Sequence, residues 1–487
     1  MTATTERPLV IGEVTGADAV PPAAGSTPAL SPLALATVLL GGLLAMVDFF
    51  IVNVALPTMG RDLHASTGLL ELVVSGYATA YAVLLVVGGR LGDAHGRRRL
   101  FLIGIVAFTV TSLICGIAPT ATTLVIARVL QGAAAALLVP QTLSTIQATG
   151  DMTARARALG WFGATGGAAA VVGQVVGGLL VNANIADSGW RPIFLVNVPI
   201  GVVGYWFARR HVPETRSPVA APPDLHGTSL LAATVVSVLI PVTEGRALGW
   251  PTWSTVMLAT APVWAVAFAV VERRVERRGD VPLVPPSVMR HRSMRRGLPL
   301  AGAFFAGFGA FLFVYALLAQ GQLGFSPLKA GLALTPMAIS FLGASLLMPL
   351  LVPRFGRTVI TAGAAIQFFG LALLIATLES AWPTVGAGQL AGGLLVLGFG
   401  QGLVMPALIR VVLSEVPVSE AGVGSGALTT TQQVSLAMGV ATLGTLFVTL
   451  APATRFGTLH AADIVLVVQA AAAMFIAVGS RALRPAS

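Results

Sequence analysis

Two charged side chains fall where a helix interior leaves them without water. Asp48 lies inside an apolar run near residues 33–58, and Arg128 inside another near 121–146. A charge at membrane depth costs about 2.5–3.5 kcal/mol on insertion scales, so it is a functional candidate by default. An aspartate in that setting is neutral when protonated and seeks a cation when it is not, which links proton binding to helix position. At 1.5 Å per residue, Asp48 stands roughly 15 Å and Arg128 roughly 10 Å from helix ends on the same side, depths at which they can pair across a bundle. A static buried ion pair is the alternative. Gln131 lies three residues beyond Arg128 and shares its face, while Tyr77 and Tyr81, four apart, share a face of a neighbouring run. These residues, with Asn53, Gln401 and Gln432, are the candidate lining of a substrate cavity. Asn53 is about 140° around an ideal helix from Asp48, so it faces a different neighbour. For each polar residue alone, a satisfied interhelical hydrogen bond is an equal reading. No Asp or Glu is read deep in the later runs.

Positioning such residues calls for helices in a bilayer. Of the 487 residues, 55% are hydrophobic and 10% charged, against about 45–50% and about 25% in a soluble domain. Apolar runs of about 20 residues, the length a spanning helix needs, recur from residue 33 to residue 480 and number fourteen. That even count puts both ends on one side. With the N-terminus inside, about 23 of the 29 basic residues fall on the cytoplasmic side, as the positive-inside tendency expects. The net charge of +10 is therefore a topology signal, and its spread over many short loops argues against nucleic acid as a partner. The polar stretches 210–226 and 272–297 bracket two central runs and leave six before and six after. The expected division is a flexible cytoplasmic tail at 1–31, a six-helix bundle at 32–210 and a linker with two extra spans at 211–296. A second six-helix bundle at 297–481 and a tail at 482–487 complete it. Two packed halves with a site at their interface is the layout of a transporter.

Several chemistries are absent. Lys329 is the sole lysine and follows Leu328, so no Gly-Lys-Ser/Thr phosphate loop exists and ATP hydrolysis by this chain is excluded. The six histidines are scattered without metal-ligand spacing, and no nucleophile, base and acid arrangement suggests an enzyme. Gly422, Gly424 and Gly426 open an apolar run with no strand before it, which favours close helix packing over nucleotide binding. The single cysteine, Cys115, reads as packing. No metal or cofactor is expected beyond the proton gradient as energy source.

The motifs are specific as a set. The stretch from Asp48 through Asn53 to Pro57 resembles the first-span signature of the fourteen-span drug:proton antiporters of the major facilitator superfamily. Gly89, Asp93, Gly96, Arg97 and Arg98 look like that superfamily's loop motif between spans two and three, and Arg128, Gln131 and Gly132 like its fourth-span motif. Trp190 through Gly201 is similar to the entry into span six, and Ser326 to Gly331 and Ala421 to Gly426 continue the likeness. The resemblance covers nearly the whole chain past residue 32. It implies an all-α major facilitator fold with two extra central spans, working as a monomer in a bacterial cytoplasmic membrane with both termini inside. The implied activity is proton-coupled export of small amphipathic drugs or antibiotics. An uptake symporter or narrow metabolite carrier shares the fold, and a receptor that moves nothing is a further alternative. On the same resemblance, Asp48 and Arg128 take part in proton coupling, and Asp93 and the arginines after it in locking a cytoplasmic gate. Gly173, Gln174, Gly177 and Gly178 occupy the fifth-span exporter motif, with Gln174 where a proline is usual. Gln432 or Gln433 stands where a basic residue is frequent.

Overall fold

The computed structural model describes residues 30–148, 152–216, 224–245, 248–280, 282–284, 286–416, 421–451 and 455–483. Most of the tail expected at 1–31 and the last four residues lie outside these. Helices make up the regular structure of the described residues, and no strand occurs among them. In order they are Pro32–Asp62 (span 1), Thr67–His95 (span 2), Arg97–Gly116 (span 3), Ala121–Gln147 (span 4), Met152–Ala183 (span 5) and Pro192–His211 (span 6). Leu225–Glu244 (span 7) and Thr252–Arg277 (span 8) follow. Then come Arg292–Gln322 (span 9), Pro327–Ala333 with Thr335–Phe355 (span 10), Thr358–Ala381 (span 11) and Ala387–Leu413 (span 12). Span 13 joins Ala421–Gly439 to Thr445–Leu450, and Arg455–Ser480 is span 14. Among the described residues, thirteen helices are long and apolar enough to cross a membrane. The fourteenth, Met152–Ala183, contains the shorter apolar stretch Val172–Ala183. Its 32 residues make about 48 Å of helix, ample for a hydrocarbon core of about 30 Å.

Helix starts carry the hydroxyl and carboxylate caps that satisfy orphan amides. Ser31 accepts from Ala34 N at 3.2 Å, Ser66 from Leu69 N at 3.2 Å, and Asp224 from Gly227 N at 2.8 Å. Ends shift relative to the apolar runs. Span 8, read as ending near 271, continues to Arg277, and span 9, read from 298, begins at Arg292. Arginine and glutamate are good helix formers, and the extension is held by side chains: Glu272 accepts from Val284 N and Glu276 from Ser287 N at 2.8 Å. Spans 9 and 13 each contain a π-helical turn, Leu318–Gln322 and Val440–Gly444. Such turns interrupt a helix where it bends or carries function.

Packing uses small residues, as it must where lipid removes the hydrophobic drive between helices. Spans 2 and 4 close at Gly132, where an added Cβ would lie 2.3 Å from the carbonyl oxygen of Tyr77. Span 5 packs on span 1 and on span 10, and span 9 on spans 13 and 14. Span 7 lies against span 2, and span 8 packs on span 7. Only 11% of span 8's apolar window is buried, so Val256, Val263 and Val266 face outward as a lipid-facing helix requires.

Candidate functional site

Five spans of the first bundle converge on Asp48. Its Oδ2 pairs with Arg128 Nη1, and both side chains have no exposed surface. Its Oδ1 accepts from Gln131 Nε2 at 3.0 Å and from Asn197 Nδ2 at 2.7 Å. Ser112 from span 3 completes the group, accepting from Gln131 at 2.7 Å and from Asn197 at 3.3 Å. Arg128 also donates from Nη1 to Gln131 Oε1 at 2.6 Å and from Nε to the Val73 carbonyl at 3.0 Å. Its guanidinium carbon sits 4.2 Å from the Tyr77 ring centre and 5.6 Å from that of Phe194. Arg128 Nη2 has no hydrogen-bond partner, and these ring faces supply the attraction that a cation finds in a quadrupole. Tyr77 is fixed in turn by donating to the Ala45 carbonyl of span 1 at 3.0 Å.

The local reasons are simple. Arg128 and Gln131 are three apart on one helix face. Gly132 brings that face against the backbone of span 2, close enough for Arg128 to reach Val73 and Tyr77. Asn197 opens the main helix of span 6, and the preceding turn buries Trp190 and Phe194 as apolar anchors that hold it inward. Asp48 is thus an acceptor for three donors, an arrangement made for a negative carboxylate. A proton arriving there turns one oxygen into a donor and leaves Arg128 without its counter-charge, so proton occupancy and the geometry of spans 1, 2, 3, 4 and 6 are bound to change together.

The other expected residues fall in separate places. Tyr81 is buried with its ring centre 6.4 Å from that of Tyr77. Asn53 is buried and turned onto its own helix, donating to the carbonyls of Phe49 and Phe50 at 3.2 and 3.3 Å. Gln401 is buried in span 12, and Gln432 is half-buried in span 13. Among the described residues neither makes a hydrogen bond to the Asp48 group. A small apolar pocket of about 40 Å³ lies inside the second bundle, lined by Tyr315, Leu374, Leu394 and Gln469 among others, and includes no member of that group.

The loop after span 2 is tied to the end of span 6 and to the segment that follows it. Asp93 Oδ1 receives Arg97 Nη2 at 2.8 Å and Nε at 3.0 Å. Arg98 N donates to Glu214 at 3.2 Å, its guanidinium donates to the Arg209 carbonyl, and Arg97 N donates to the Thr215 carbonyl at 2.9 Å. Gly96 has φ of 107°, a backbone region in which residues with a side chain are strained. Gly89 has only Pro140 of span 4 near it, at 3.8 Å from an added Cβ. In span 5, Gly173 and Gly177 press on Phe50 and Ile51 of span 1. Gly178 meets the Pro327 carbonyl of span 10, and Gly331 of span 10 meets the Gln174 carbonyl. The Gln174 side chain, where a proline would leave none to donate, gives a hydrogen bond to the Phe50 carbonyl at 3.3 Å.

Sequence reasoning missed Ser112 and treated Cys115 as mere packing, whereas its sulfur lies 3.6 Å from Gln131 Oε1. Asn197 lay inside a recognised stretch without a role. The available signal was an amide one turn after two aromatics at a helix entry.

The family model described as Major Facilitator Superfamily matches residues 38–440. The "Probable actinorhodin transporter" of Streptomyces coelicolor is 37% identical over 427 residues, covering 87% of this chain and 74% of that protein. The "Puromycin resistance protein pur8" of Streptomyces alboniger is 35% identical over 419 residues, covering 84% and 80%. Among solved structures, the xylose transporter XylE from E. coli superposes with a TM-score of 0.61 at 15% identity, over 91% of this chain and 97% of that one.

Proposed function

We propose that this chain, which belongs to the Major Facilitator Superfamily, exports small amphipathic molecules, antibiotics among them, by alternating access driven by proton uptake. The observation that carries the coupling is the fully buried Asp48–Arg128 pair and its amide network. In this reading a proton from the outer side occupies Asp48, releases Arg128 and permits the rearrangement that resets the carrier. The cargo undergoes no chemical conversion. The relatives named for actinorhodin transport and puromycin resistance support the export direction and the class of cargo.

Residues 32–210 and 297–481 act as the two rocking units, with the pair of spans in 211–296 between them. Tyr77, Tyr81, Gln131 and, from the second unit, Gln401 and Gln432 face the path of the cargo, and Asn53 braces span 1. Gly89, Asp93, Gly96, Arg97 and Arg98 form the cytoplasmic gate, and Gly173, Gln174, Gly177 and Gly178 the sliding face of span 5. The protein works as a monomer in a bacterial cytoplasmic membrane with its arginine-rich loops and both ends inside.

The deciding experiment is efflux from proteoliposomes under an imposed pH gradient, using puromycin, actinorhodin and lipophilic dyes. Export that stops when the gradient is collapsed, and in Asp48→Asn, supports the reading. Flux that ignores the gradient, or inward flux alone, sinks it.

A further inference from the structure

Three of the contacts that join the two bundles lie toward the ends of their spans, on the face away from the arginine-rich loops. Gln320 of span 9 donates to the Val54 carbonyl of span 1 at 2.6 Å. Gly178 of span 5 meets the backbone of Pro327 in span 10. The third is different in kind, because it joins two side chains and one of them is an acid. Thr445 of span 13 donates its hydroxyl to Glu71 Oε2 of span 2 at 2.8 Å. Glu71 escaped the reading of deep charges because it stands one turn from the start of its helix, yet it is 1% exposed.

Three features make this junction more than a surface contact. Thr445 follows directly on the π-helical turn Val440–Gly444, so the hydroxyl is presented by the irregular part of span 13. Gly444, the last residue of that turn, sits beside the acid: a Cβ there would be in ordinary contact with Glu71 Oε1 at 3.5 Å and would press on the Phe313 ring at 3.0 Å. Span 7 supplies the third wall. The Val242 carbonyl is 3.4 Å from the Thr445 hydroxyl. Glu244 packs against Gly68, on the same face of span 2 as Glu71, with its Oε1 buried and without a hydrogen-bond partner. First bundle, second bundle and extra hairpin therefore meet at one hydroxyl.

We propose that Glu71 is a gating residue for transport, latching the outer side shut through Thr445, with span 7 packed alongside and its Val242 carbonyl the alternative acceptor for the hydroxyl when the latch opens. The assignment of this face as outer rests on the export reading above. Opening to the outside requires Thr445 to leave Glu71, and the buried carboxylate then gains access to water, which compensates the lost partner. Span 7 serves as the fixed jaw against which span 13 closes.

A thiol placed at Val54, at the neighbouring span 1–span 9 junction with Gln320 and 2% exposed, reports parting of the bundles on this face through its reaction with a membrane-impermeant maleimide. The native Cys115 is buried and gives the background. In a Val54→Cys background, Thr445→Val and Glu71→Ala are expected to raise the labelling rate roughly three- to tenfold, the shift that loss of one hydrogen bond brings. Glu71→Gln keeps an acceptor for the hydroxyl and is expected to label at the parental rate. Equal labelling in all of these variants overturns the proposal. Independently, bridging Glu71→Cys to Thr445→Cys with a short bifunctional methanethiosulfonate is expected to abolish labelling at position 54 and to stop flux until the bridge is reduced. A bridged protein that still labels at the parental rate also overturns it. A protein that labels and cross-links as expected but exports no compound leaves the latch standing and removes the export reading instead.

Discussion

Replacing Asp48 by asparagine removes one negative charge and nearly nothing else. The variant keeps a side-chain oxygen able to accept from Asn197 or Gln131, but Arg128 is left cationic at zero exposure. Removing one partner of a buried pair costs about 3–5 kcal/mol, because the surviving charge has no compensation. The Tyr77 and Phe194 faces and the Val73 carbonyl remain to hold the guanidinium. They do so in the parent as well and offset none of this cost. A loss of about 3–5 kcal/mol is expected, visible as a lower midpoint in thermal unfolding of the detergent-solubilised protein. Efflux driven by the pH gradient is expected to vanish in the same variant. The double variant Asp48→Asn with Arg128→Gln separates the two effects. It removes the orphan charge and is expected to recover most of the stability while remaining inactive, a coupling that the two single changes cannot produce by addition. Gradient-driven efflux at the parental rate in Asp48→Asn refutes the coupling role. An unchanged unfolding midpoint refutes the electrostatic account of the pair.

Other changes test neighbouring parts of the argument. Arg128→Lys keeps the charge but not the planar group that reaches Asp48, Gln131 and Val73 together; initial efflux rates are expected to fall about tenfold, the shift that loss of one hydrogen bond to a charged group brings. Asn197→Ala withdraws a buried donor from Asp48 Oδ1 and is expected to cost about 1–3 kcal/mol in thermal unfolding, with a larger effect than Asn53→Ala. Gly132→Ala places a Cβ 2.3 Å from the Tyr77 carbonyl; separating spans 2 and 4 is expected to cost about 1–3 kcal/mol and to lower efflux together with stability.

The fold was legible because a bilayer leaves few options: long apolar runs in number, with arginines between them, become helices in a membrane. Arg128 and Gln131 were legible as one face because their spacing is helical. Their meeting with Asp48, 80 residues away, followed from matched depth and from the cost of leaving either charge alone. Asn197 and Ser112 had no such signal. A neutral amide or hydroxyl in an apolar helix carries little penalty in the sequence pattern, and only the packing of spans 3 and 6 reveals its partners. Glu71 was hidden by its position one turn from a helix end, where an acid ordinarily meets water; span 7, distant along the chain, is what covers it. The ends of spans 8 and 9 were misjudged because charge was read as loop, whereas Glu272 and Glu276 use their carboxylates to fasten the following segment to a longer helix.

Spans 7 and 8 form a hairpin between the bundles, with the second helix turned mostly to lipid. A hairpin returns the chain to the side it left. The second bundle therefore enters the bilayer in the direction it would take if the hairpin were deleted, whereas a single added helix would install it upside down. Insertions at this joint are constrained by parity: two helices keep both bundles running the same way, so that a rotation about the membrane normal relates them, and an odd number would invert one.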